Sequence, residues 1–106
     1  MLSQTRPATT NPTAALTVAT RRITVKNITV CNVTANPVDY TIYRARSGQA
    51  YDEDRGTFWE IELQGNQTEI IDLTWILIRT GDNIAVQSST ADAVNFTIDG
   101  WFDSDA

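Results

Sequence analysis

Any chemistry in this chain has to come from one cysteine, a handful of carboxylates and three tryptophans. No histidine is present, which removes the usual general base, the Ser-His and Cys-His pairs and the commonest transition-metal ligand. Cys31 falls inside an alternating run with no second cysteine to share a disulfide or a zinc, and reads as a buried, inert thiol. Glu60 and Glu62 stand two apart in an extended segment, hence on one face, as a glycosidase pair would. Ile61 and Leu63 alternate with them, so the pair reads instead as the wet face of a strand. Asp52, Glu53 and Asp54, with Asp82 farther on, offer oxygens to Ca²⁺, but the EF-hand spacing is absent. The glycines are isolated in turns and supply no phosphate cradle. No catalytic residue, cofactor or metal is expected.

Trp59, Trp75 and Trp101 have two uses: stacking on sugar rings or anchoring a protein interface, if exposed, and packing if not. By alternation Trp59 shares a face with Ile61 and Leu63, which assigns it to the core. On the last apolar run, Phe96 and Ile98 share a parity that continues through Gly100 to Phe102. Trp101 then falls on the other face and is the candidate exposed aromatic.

The elements that would hold these residues are short and β-branched. Arg22 to Asn32 alternates, with a phase shift at Lys26-Asn27 that predicts a β-bulge or a strand changing sheets. Ala35-Asn36-Pro37 is a turn, Val38 to Ala45 a strand, and 46–56 a long polar loop. Phe58 to Leu63, Thr68 to Ile78, Ile84 to Ser88 and Val94 to Phe102 read as further strands, with turns at Gly65-Asn66, Thr80-Gly81-Asp82-Asn83 and Ser89 to Asp92. Glu69 to Ile78 partly fits a helical period, but its β-branched content and missing cap make it a strand. The prediction is an all-β domain over 14–106, a sandwich of about seven strands with immunoglobulin-like or jelly-roll topology. Residues 1–13, with Pro7 and Pro12 among small polar residues, read as an extended arm, disordered alone and ordered only against a partner.

A length of 106 residues fits one such domain. The longest apolar run, Trp75 to Ile78, is far short of the ~20 residues of a spanning helix, and no leader pattern opens the chain. A soluble protein not exported by an ordinary leader is expected. The Asn-x-Thr triplets at Asn27, Asn32, Asn66 and Asn95 reflect a chain rich in Asn and Thr rather than glycosylation sites. Residues 1–51 hold six basic residues against Asp39, whereas 52–106 hold two against twelve acids. The pI near 4.4 argues against nucleic acid or an anionic membrane as partner. The asymmetry either favours head-to-tail contact between copies or is neutralised by strand pairing within one domain.

Four stretches together resemble a diffuse family of small phage virion proteins: Ile28-Thr29-Val30-Cys31-Asn32, Thr68 to Leu73, Gly81-Asp82-Asn83-Ile84, and Val94-Asn95-Phe96-Thr97-Ile98-Asp99-Gly100. The resemblance spans Leu16 to Phe102. It implies a β-sandwich housed in a virion assembled in the host cytoplasm, and it carries over no functional residues. The expected function is that of a non-enzymatic capsid decoration (cement) protein bound to the major capsid protein, homo-oligomeric, with a trimer as one form. Tail, neck or fibre-associated subunits and a carbohydrate-binding module are the alternatives. The candidate interface residues are Leu2, Arg6, Pro7 and Pro12 of the arm, Arg21 and Arg22, and Trp101.

Overall fold

The structure is a computed structural model that describes residues 1–103; the last three residues of the expected domain, 104–106, lie outside it. Eight strands follow one another: β1 (Ser3–Thr5), β2 (Thr13–Thr17), β3 (Ile23–Asn32), β4 (Val38–Ala45), β5 (Gly56–Leu63), β6 (Thr68–Leu77), β7 (Asn83–Ser88) and β8 (Val94–Phe102). They form two four-stranded sheets, one in the order β1-β8-β3-β6 (sheet A) and one in the order β2-β7-β4-β5 (sheet B). Every pairing is antiparallel. This is the β-sandwich that the sequence predicts, and the strand order is that of a jelly roll. Glu69 to Ile78 is strand and not helix, as expected, through Leu77.

Alternation along the strands builds the core. Val38, Tyr40 and Ile42 of β4 and Val94, Phe96 and Ile98 of β8 are almost wholly buried. In β3 the register shifts between Val25 and Asn27 against both neighbours. Against β8 Lys26 is the extra residue of a bulge, whereas against β6 the extra residue lies on β6, where Leu73 and Thr74 face Lys26 alone. The slip restores the inward parity: Ile23 and Val25 before it and Ile28 and Val30 after it are all fully buried. Opposite the bulge, Gly100 lies so close to β3 that a Cβ there would sit 2.0 Å from the Thr24 carbonyl oxygen.

The arm departs from expectation. Ser3–Thr5 is the first strand of sheet A, in register with Phe96 to Ile98 of β8, and the Leu2 amide donates to the Ile98 carbonyl at 2.8 Å. Leu2 packs partly against the core. Pro7 is buried, and its carbonyl accepts from the Asp92 amide at 2.9 Å. The physical reason is the open edge of β8, whose unpaired N–H and C=O groups need a neighbour. The arm therefore docks on its own domain, without waiting for a partner.

A second difference concerns the face of two residues. Cys31 is half-buried on the outer face of β3, and Asn32 is the buried one. The parity of Ile28 and Val30 runs on to Asn32, and a strand cannot bury two successive residues on one face.

Candidate binding surfaces

Two surfaces gather side chains capable of binding. The first is the end of the sandwich where β3 begins and β4, β6 and β8 end. Register places Ile76, Thr24 and Trp101 side by side across β6, β3 and β8. Ile76, Ile78, Trp101 and Phe102 are all exposed there, Trp101 by 51%. Trp101 thus stands where the sequence placed it, on the outer face. Beside this apolar row, Arg44, Arg46 and Arg79 line one groove of about 450 Å³ with Ile76, Ile78 and Asp82. Arg44 donates to the Ile76 carbonyl at 3.0 Å and lies over the Trp75 ring at 5.5 Å, which fixes its guanidinium. No ion pair joins Arg46 or Arg79 to a described carboxylate.

Arg21 and Arg22 belong to the same end. Arg22 Nε meets the Asp103 carboxylate at 2.7 Å, and Arg21 donates to the Asp103 carbonyl and lies 5.8 Å over Phe102. The hydrogen bond from Arg22, assisted by Thr24 Oγ1 at 3.0 Å, holds the Asp103 carboxyl below the usual carboxylate range despite some desolvation. These contacts and the pair between the amino terminus and Asp99 join the basic first half of the chain to the acidic second half. The arm candidates sit elsewhere: Arg6 donates to Asn95 Oδ1 at 2.6 Å, and Pro12 is half-buried just before β2. The structure does not bring Leu2, Arg6, Pro7 and Pro12 together with Trp101.

The second surface is the outer face of sheet B, a groove of about 450 Å³ whose lining includes Asp39, Thr41, Trp59, Glu60, Gln87 and Ser89. Trp59 is not in the core as alternation predicts. Register between β4 and β5 slips from Tyr40 opposite Ile61 to Ile42 opposite Phe58, and Glu60 takes φ 48°. One extra residue thereby turns Trp59 outward while Phe58 packs inward toward the core. The indole meets the Tyr43 ring edge-on at 6.1 Å, and Tyr43 in turn lies 5.5 Å from Tyr51. Burial raises the Tyr43 phenol above its ordinary range, reinforced by the nearby charges of Glu60 and Asp52.

Among the described residues no cluster of three or more His, Cys, Asp or Glu side chains that could hold a metal ion occurs. Sequence reasoning missed Arg44, Arg46, Arg79, Tyr43 and Tyr51 as site residues. The arginines come from β4, its following loop and the turn after β6, and only tertiary folding unites them. No family model matches the chain, and neither a curated protein nor a solved structure matches it.

Proposed function

We propose that this protein is a non-enzymatic virion structural subunit, a decoration (cement) protein that binds the shell of a phage head with the arginine-bearing end of its sandwich. The observation that carries this reading is that end itself: two arginines without a described carboxylate partner beside exposed isoleucines, on a chain of net charge −5. Guanidinium forks pair with carboxylates, and adjacent aliphatic side chains exclude water from the contact. The jelly roll supports the reading as an architecture that capsid domains use, although fold alone assigns no function. A homo-oligomer and an acidic patch on the major capsid protein are the partners this surface suits.

The test is co-sedimentation of purified protein with intact particles of the virus that encodes it, followed by labelling to find its position. Binding to heads is expected, weakening as salt rises. Arg46→Glu combined with Arg79→Glu should reduce occupancy at least tenfold. Label at the tail, neck or fibres would replace the decoration reading with the other virion positions. Absence from particles would overturn both.

A further inference from the structure

We infer that the outer face of sheet B is a carbohydrate-binding site for a neutral oligosaccharide, with Trp59 as the stacking platform and Asp39, Glu60 and Gln87 as hydroxyl partners. This inference does not depend on the virion reading.

The platform is built rather than incidental. Trp59 is 39% exposed, yet its position is constrained from behind. A Cβ at Gly56 would lie 2.4 Å from the indole Cε3, so the ring rests directly on glycine backbone. Tyr43 meets it at an interplanar angle of 86°, and Tyr43 is itself held by a hydrogen bond to Gln87 Oε1 and by Tyr51. A ring fixed in this way loses little freedom when a sugar stacks on it.

The polar lining fits the same ligand. Glu60 occupies the left-handed region at φ 48°, a strained conformation for a residue with a Cβ. Its amide is held by Thr41 Oγ1 at 3.0 Å. Non-glycine strain of this kind, at a bulge that re-aims side chains into a groove, marks a functional constraint. On the same strand pair, Asp39 stands directly opposite Glu62, a like-charge pairing that sheets ordinarily avoid.

The chemistry then selects among ligands. The groove lining contains two carboxylates and no cation, which repels sulfated, phosphorylated or sialylated compounds. It also offers the hydroxyls of Thr10, Thr41 and Ser89 and the amide of Gln87, groups that donate as well as accept. Sugar hydroxyls use both capacities, whereas an ammonium or guanidinium only donates. A pyranose with its C–H face on Trp59 and its hydroxyls toward Asp39 and Glu60 satisfies the whole lining.

The experiment is an array of neutral, sulfated and sialylated oligosaccharides together with a lysine-rich peptide, probed with the full chain. The best neutral oligosaccharide is then titrated by calorimetry. Neutral oligosaccharides should bind and the charged ones should not. Trp59→Ala should lower affinity at least tenfold, Trp101→Ala should leave it unchanged, and Glu60→Gln, at an exposed side chain, should lower it about fivefold without altering the melting temperature. Glu60→Gly should weaken binding while raising the melting temperature, because it removes the strain. The inference is overturned if no neutral oligosaccharide binds, if the lysine-rich peptide is preferred, or if both Trp59→Ala and Glu60→Gln bind as the parent does.

Discussion

Asn32 closes one end of the sandwich. Its side-chain nitrogen is directed at the carbonyls of Asn36, Leu63 and Gln64 at 2.8–3.1 Å, and its oxygen accepts from the Thr34 amide and hydroxyl. It thereby links β3 of one sheet to the end of β5 in the other. Replacing it with alanine strands those carbonyls near the core, and each buried unmet group costs about 1–3 kcal/mol. Asn32→Ala should therefore lower the unfolding free energy by about 2–3 kcal/mol in a denaturant titration. A loss below about 0.5 kcal/mol would mean that water replaces the amide. The same residue shows where sequence reading stops. The parity of Ile28 and Val30 reaches position 32, but a polar side chain there carries no hydrophobic signal, and Cys31 is the residue that the sequence assigns to the core. Likewise nothing in Phe58-Trp59-Glu60 announces a bulge, since the left-handed residue is a glutamate instead of the glycine or asparagine that would flag one.

Elements with an apolar inward face were legible: β3 to β8 fall close to the runs in which Val, Ile and aromatic residues alternate with polar ones. The β3 bulge was legible too, because the apolar parity itself changes at Lys26-Asn27. β1 was not. Register puts Ser3 and Thr5 opposite the inward-facing Ile98 and Phe96, so its inward positions are small hydroxyls with no hydrophobic signal. Ser3 Oγ instead donates to the Ala15 carbonyl of β2, tying the two sheets at their edge. That geometry reverses the expectation for the arm. Removing residues 1–7 uncovers the β8 edge and deletes the Leu2 and Pro7 contacts. Half-burial of one leucine with its ladder bonds amounts to about 2 kcal/mol. The truncated domain should accordingly melt several degrees lower and exchange the amides of Phe96 and Ile98 faster. An unchanged melting temperature would mean that β1 is not held on β8 in solution.

At the scale of the whole molecule, the two sheets cohere through apolar packing and through Tyr40, which crosses between them. Its ring lies edge-on to Phe96 at 6.1 Å, and its hydroxyl donates to Glu69 of β6 at 2.9 Å. Burial first, then the hydrogen bond to the Glu69 carboxylate and that carboxylate's charge, push the phenol far above its ordinary value; burial raises Tyr43 as well. A group whose pKa is higher folded than unfolded stabilises fully below the unfolded value. That contribution is lost as pH rises beyond it, because the unfolded chain releases the proton first. Stability should therefore hold to about pH 10, the unperturbed tyrosine value, and then fall steadily. On the acid side, the depressed Asp103 carboxyl acts in the opposite sense: its contribution is present above the unfolded carboxylate value and is lost as pH falls from there through its lowered folded value. Melting temperature measured across the alkaline range should decline while tyrosinate absorbance lags behind that of free tyrosine, then rises together with unfolding. Tyr40→Phe should cost about 1 kcal/mol at neutral pH through the lost hydrogen bond, yet shift the alkaline decline upward because one buried proton no longer has to leave. If the variant keeps the parent's alkaline midpoint, Tyr40 is not the group that couples the union of the sheets to pH.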